Sequence, residues 1–501
     1  MPHTRHGGPA RAIACLLALT SGTGAVIAAP AQTGSTPEHL TADTRKQTVA
    51  GASFIAPADW TFSVRDPATI LAAPEGDSRI ALVDVRAPSA DSAVALAWAA
   101  YLPAHTWPLK VVTRQPDKDG WSDRRSYDYQ TSPNEKRGVS LLTQRAGDVW
   151  TVVVYDMSDA TGEKRLAAVQ LVFDRLLPKG FTRESFAGRK VATLDAARLA
   201  RLSAFTEQAM QELGIPGVAV GIVQKGKVVF ADGFGVRELG KPEKPDASTL
   251  FMVASNTKAL TTLMLAKLVE ANRFGWETPV TSLLPSFKLG DTAITRQVLV
   301  KHLICACTGL PRQDLEWLFE FKDATPESAL RTLGTMQPTS KFGQTFQYSN
   351  PMAAAAGYTG GHVAFPDLEF GAAYDKAMRT LVFEPLGMTS TTFDYSRALA
   401  GNHASPHAPD IDGKTSVAAM DINYSVIPVR PAGAAWSSVR DMLKYISMEL
   451  AEGKLPDGTQ YIRRETLLAR RRCRSGRRPR TAWASWWTRN TGRPSCITGA
   501  T

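Results

Sequence analysis

The chain has 501 residues, 44% hydrophobic and 21% charged, the composition of a folded globular protein of two or three domains, which excludes bulk disorder. The formal net charge is +11, but nine arginines lie from Arg470 to the C-terminus with no acidic residue among them, and without those nine the charge is +2. The basic excess is therefore a property of one terminal segment, which argues against nucleic acid as a partner, because nucleic-acid-binding faces spread Lys and Arg along a surface.

Residues 1–31 have the pattern of a secretory signal peptide. Arg5 and Arg11 give a positive start, Ala12 to Leu19 is apolar, and Ala29-Pro30-Ala31 offers small residues for cleavage. The apolar run is too short to span a bilayer and is broken by Ser21, Gly22 and Gly24. Cys15 precedes most of that run, which argues against a lipid-anchored cysteine. The expectation is a secreted or periplasmic protein with no stable membrane insertion after cleavage.

Residues 32–48 are polar and read as a linker. Residues 49–182 read as a smaller α+β domain. Ile80 to Val85 and Val149 to Tyr155 have the continuous apolar, β-branched character of buried strands. Ala93 to Tyr101 and Glu163 to Leu176 have helical spacing. No catalytic constellation is visible there, so this stretch reads as a binding or packing module of unknown role.

A second domain spans residues 190–470. Asp195 is placed to cap a helix running to Leu213, which Gly214 ends. Gly217 to Val223 and Val228 to Phe230 read as two strands, joined by a tight turn at Lys225-Gly226-Lys227. Thr249 to Ala271 has the pattern of a long helix. Within it, Ser255 and Lys258 stand three residues apart, the spacing that puts two side chains on one helix face. A buried amine beside a serine hydroxyl can take its proton, and a helix N-terminus offers N–H groups to a developing oxyanion. Phe346-Gln347-Tyr348-Ser349-Asn350 supplies a second polar group about ninety residues later. Cys305 and Cys307 read as small buried hydrophobes rather than a metal or redox pair, and no disulfide framework is visible among the cysteines.

Ser255-Asn256-Thr257-Lys258 and Tyr348-Ser349-Asn350 together resemble the Ser-x-x-Lys and Tyr-x-Asn elements of the serine β-lactamase and penicillin-binding-protein superfamily, in its class C β-lactamase and related esterase branch. Ile215 to Val220, Lys301 to Pro311, Glu384 to Met388 and Pro431 to Asp441 resemble further stretches of that family in the same order. The resemblance implies an α/β plus all-α fold of the β-lactamase/DD-peptidase type. It implies Ser255 as nucleophile, Lys258 and Tyr348 as proton carriers, with the Lys258 charge lowering the Tyr348 pKa, and Asn350 as the residue that holds Lys258 and binds substrate. It implies acyl transfer to Ser255 from an amide, ester or β-lactam, a small-molecule or peptide substrate, no cofactor and no metal.

The resemblance also implies a third element, a strand carrying Lys/His-x-Gly, which supplies a second oxyanion donor. None is found after Asp441, and His403 and His407 lie too early, in a stretch that reads as a solvated loop. Residues 471–501 are rich in Arg and Trp without helical or strand period. Shifting their codons by two bases can restore a His-x-Gly strand. The expectation is a reading-frame slip near Arg470, a missing C-terminal part of the hydrolase sheet, and weak turnover. Two alternatives stay open: a truncated pseudoenzyme, and a binding protein that acts through its N-terminal domain.

Overall fold

The computed structural model describes residues 36–319 and 321–470. The N-terminal domain is built on ten strands: β1 (Glu38–His39), β2 (Thr44–Gln47), β3 (Ser53–Ala56), β4 (Thr61–Arg65), β5 (Ala68–Ala72), β6 (Arg79–Val85), β7 (Leu109–Arg114), β8 (Ser122–Tyr129), β9 (Arg137–Ala146) and β10 (Val149–Ser158). Eight of them form one antiparallel sheet in the order β1-β4-β5-β6-β10-β9-β8-β7, and β2 pairs with β3. The continuous apolar run of β6 has a direct cause. Ala81 and Val83 point to one face, where helix α1 (Ala90–Tyr101) packs, and Ile80 and Leu82 point to the other, where α3 (Leu166–Arg175) packs. A strand covered on both faces has no polar side to alternate with.

Two boundaries differ from the sequence expectation. Residues 38–47 are not a linker: β1 pairs with β4 and β2 with β3, so the domain begins earlier. The helix expected over Glu163 to Leu176 is two, α2 (Asp159–Lys164) and α3, broken at Arg165. The Arg165 side chain leaves the helix line to bind the Glu75 carboxylate at 2.7 Å.

In the second domain, helix α4 (Ala196–Leu213) is capped by Asp195, whose carboxylate accepts from the Arg198 N–H, and ends at Gly214 with φ of +64°. Strands β11 (Gly217–Gln224) and β12 (Lys227–Gly235) form a hairpin. Its turn has positive φ at both Lys225 and Gly226, the geometry whose twist matches paired strands. The large core gathers around α5 (Thr257–Glu270), which buries residues all round its circumference. Helix α6 (Asn350–Ala364) lies against it through Ala353–Ala356 and its glycines. A Cβ at Gly360 would stand 2.7 Å from Leu265 Cδ2 of α5, and one at Gly357 would stand 2.3 Å from the Pro431 Cβ, so glycine lets α6 approach both closely. Helix α7 (Val439–Leu450) packs on β11. The architecture is a mixed α/β plus helical unit preceded by an α+β domain.

Asp441, on α7, holds the late part of the domain together. Its Oδ2 accepts from the Ser390 N–H at 2.8 Å, the Ser390 hydroxyl at 2.7 Å, and the Thr391 N–H and hydroxyl, both at 3.0 Å. Burial pushes this carboxyl up, but the bonds from Ser390 and Lys444 outweigh it and hold the carboxyl below its usual value. A carboxyl depressed in the folded state stabilises above its unfolded pKa, near 4, and loses that contribution as pH falls through the folded value. Replacing Asp441 with alanine strands the buried Thr391 N–H and the part-buried Ser390 N–H, and we expect a loss of about 2–4 kcal/mol in denaturant unfolding at pH 7. A loss under about 0.5 kcal/mol would show that water serves these donors equally well.

Candidate active site

The nucleophile helix starts later than its sequence pattern indicates. Phe251–Met252 is a short strand paired with Trp436–Ser437, Ala254–Asn256 is a single 3₁₀ turn, and α5 begins only at Thr257. Between strand and helix the chain turns sharply at Ala254, which takes φ of +44°. Non-glycine residues avoid this region, and such strain is common beside reacting groups. The turn leaves Ser255 exposed at the mouth of the site while Lys258, one helical turn on, is only 2% exposed.

Tyr348 and Asn350 arrive from the start of α6. Ser349 caps that helix by accepting from the Met352 N–H, and Pro351 occupies its first turn. Gln347 fixes the approach: its N–H donates to the Ala306 carbonyl at 2.8 Å, and its side chain bridges Thr339 and Ser340. Ala306 lies between Cys305 and Cys307, which form a disulfide, so these cysteines are neither free hydrophobes nor metal ligands. Nothing in the sequence reading anticipated the bond, because the two cysteines sit in an apolar run. Beside them, Gly309 has φ of +86°, and a Cβ there would meet the Ser340 carbonyl oxygen at 2.2 Å. That explains the glycine of the Thr308-Gly309-Leu310 turn.

The four expected residues converge. The Ser255 Oγ lies 2.7 Å from the Tyr348 hydroxyl. The Lys258 Nζ reaches Ser255 Oγ at 3.0 Å, Tyr348 OH at 2.8 Å, Asn350 Oδ1 at 2.7 Å and the Ala432 carbonyl at 2.5 Å. Burial holds the Lys258 amine well below its ordinary range; Asp314 pushes it back up and Arg312 pushes it further down. Burial also raises the Tyr348 phenol, against the lowering effects of the Ser255 hydrogen bond and the Arg312 charge. The net shift of Tyr348 is upward, so burial outweighs the groups that lower it. Both shifts run the way burial drives them, towards the uncharged amine at Lys258 and the protonated phenol at Tyr348.

Two residues of the site were missed in the sequence, Arg312 and Asp314. The Arg312 guanidinium stands 4.9 Å from the Tyr348 ring centroid and is paired with Asp314. Asp314 Oδ1 accepts from Asn350 Nδ2 at 2.9 Å and from Trp317 Nε1 at 3.0 Å. The Arg312 N–H donates to Glu163 of the N-terminal domain at 2.6 Å, which brings that domain to the rim of the site. The signal was present as an acid three residues past a Gly-Leu-Pro turn, but a charged loop residue reads first as solvated. His407 also differs from expectation: it lines the cavity, and its Nε2 accepts from the Leu239 N–H at 3.1 Å. His403 stays on the loop, held by the Gly401 carbonyl at 3.0 Å. The cavity measures about 580 Å³, with Ser255 and Tyr348 in its wall and Phe251, Trp317 and Trp436 among its apolar lining. The expected frame slip and third-element strand concern residues 471–501, and the signal peptide residues 1–31; both lie outside the described residues.

A serine, a buried amine and a phenol in mutual contact at one cavity are an arrangement that serine-hydrolase chemistry can use. The β-lactamase family model matches residues 202–499, more than half of the chain, and the chain belongs to that family. It is similar to the unguisins hydrolase ungD of Aspergillus violaceofuscus, 27% identical over 254 residues that cover 48% of this chain and 43% of that protein. It is also similar to protein flp of Staphylococcus aureus, 26% identical over 254 residues that cover 50% of this chain and 48% of that one. The chain thus spans under half the length of each of these relatives. Among solved structures it is similar to a penicillin-binding protein homologue from Pyrococcus abyssi, with TM-score 0.47 and 24% identity, covering 55% of this chain and 60% of that one.

Proposed function

We propose that the protein is a secreted serine hydrolase that forms an acyl-enzyme on Ser255 and hydrolyses an amide, ester or β-lactam bond. The observation that carries this is the contact of Lys258 Nζ with both Ser255 Oγ and Tyr348 OH. In the proposed reaction the Ser255 oxygen attacks the acyl carbon as its proton passes to the neutral Lys258 amine. The Ser255 N–H receives the developing oxyanion. Tyr348 gives its proton to the leaving group, takes another from the water that attacks the acyl-enzyme, and Lys258 returns its proton to the Ser255 oxygen as the acyl bond breaks. Asn350 holds Lys258 and faces the acyl side of the substrate. The substrate is a small molecule or peptide, and Ser/Lys/Tyr chemistry requires no cofactor. The name of the unguisins hydrolase supports hydrolysis as the reaction type.

The test is intact-mass labelling by a fluorophosphonate and by a β-lactam, on the wild type and on Ser255→Ala. We expect the wild type to gain the mass of one adduct and the variant to gain none. Equal labelling of both would place the nucleophile elsewhere, and no labelling of either would leave the chain without an acylating serine.

A further inference from the structure

We infer that Asp314 is a positioning residue that fixes the Asn350 amide and, through it, aims the Lys258 lone pair at Ser255 and Tyr348. The inference rests on the serine-hydrolase reading above and adds a residue to it. An ionised carboxylate only accepts hydrogen bonds. Asp314 Oδ1 lies 2.9 Å from one end of the Asn350 amide, so that end must be the NH₂. The carbonyl end then faces Lys258 at 2.7 Å. A neutral amine has two N–H groups and one lone pair. The Asn350 carbonyl and the Ala432 carbonyl, at 2.5 Å, are acceptors that cannot donate, and they take both N–H groups. The lone pair is left for the two hydroxyl groups, Ser255 at 3.0 Å and Tyr348 at 2.8 Å. If the amide turned over, its NH₂ would face the amine and compete for the lone pair.

Asp314 is itself held on both oxygens. Trp317 Nε1 donates to Oδ1 at 3.0 Å and Arg312 Nε to Oδ2, and the carboxylate side chain is 15% exposed. Ser255, Tyr348, Asn350 and the Ala432 carbonyl face Lys258, and of the charges that act on it Asp314 favours the ammonium and Arg312 opposes it. Changing either charge must move the pH at which the amine becomes a base, in opposite directions. A residue that only braces the loop would not do this.

The experiment is the pH dependence of the second-order rate of Ser255 labelling by a fluorophosphonate, in the wild type, Asp314→Asn, Asp314→Glu and Arg312→Gln. For the near-isosteric Asp314→Asn we expect the plateau rate to fall about 10-fold, as for loss of part of a proton-transfer device, and the acid limb to move down by about 1 pH unit. Arg312→Gln should move the acid limb up. Asp314→Glu keeps the charge and should hold the limb near its wild-type position whatever its plateau. An acid limb unmoved in Asp314→Asn, or moved the same way in Arg312→Gln, overturns the inference while a labelled wild type leaves the hydrolase reading standing. A wild type that does not label overturns both.

Discussion

Replacing Lys258 with methionine lowers the rate of Ser255 acylation by about 10³-fold, within the range for removal of a general base. The amine is in contact with both the serine and the tyrosine oxygens, so its loss removes the proton acceptor beside the hydroxyl. The phenol does not replace it, because burial holds Tyr348 above its ordinary value near 10 and keeps it protonated. The wild-type profile of kcat/KM therefore rises with pH as Lys258 loses its proton, well below the usual lysine value. It holds its plateau until Tyr348 ionises above its ordinary value. In Lys258→Met the acid limb disappears along with most of the rate. The fold survives the change: the Asn350 and Ala432 acceptors lose a donor, but the desolvation of a buried amine is removed too, and the two effects oppose each other. Stopped-flow labelling and a thermal melt on the same sample separate chemistry from folding. A variant that labels within 10-fold of the wild type would remove Lys258 from the mechanism.

The four candidate site residues were legible because each carries a local reason to be where it is. Ser255 and Lys258 stand three residues apart, the spacing that brings two side chains together across one turn, and Ser349-Asn350-Pro351 is a helix start written in capping residues. The β11–β12 hairpin and the Asp195–Gly214 helix were legible for the same reason. What was hidden depends on partners far along the chain. The delayed start of α5 follows from Phe251–Met252 pairing with Trp436–Ser437, nearly two hundred residues later. Arg165, where the helix breaks, is paired with Glu75, and Asp314 with Asn350, both partners far along the chain. The strands of residues 38–47 are polar and short, and only their pairing with β3 and β4 makes them strands. The depressed Lys258 and raised Tyr348 are consequences of burial, which spacing does not report.

Glu449→Ala destabilises the hydrolase domain by about 3–5 kcal/mol, as expected for a buried cation left without its partner. Arg470 is the cation: its side chain is 3% exposed and that of Glu449 is 6%. The guanidinium pairs with Glu449 and donates to the Ala259 carbonyl at 3.1 Å and the Thr262 hydroxyl at 3.3 Å, both on the nucleophile helix. Arg470 therefore anchors the last described turn of the chain to the element that carries Lys258. The Glu449 charge keeps the guanidinium favourable in spite of burial, which acts the other way. Against a typical total stability of about 5–15 kcal/mol the loss is a large fraction, and a clear drop in the urea midpoint follows. Glu449→Gln keeps an acceptor for Arg470 but not the charge, and should lie between the wild type and the alanine variant. The pair Glu449→Met with Arg470→Met removes both charges and should recover most of the loss, because a buried ion pair replaced by apolar side chains of similar volume is close to neutral. If the double variant is no more stable than Glu449→Ala, the pair contributes through geometry that methionine cannot supply. If Glu449→Ala costs under about 1 kcal/mol, water reaches Arg470 and the site is not buried in solution.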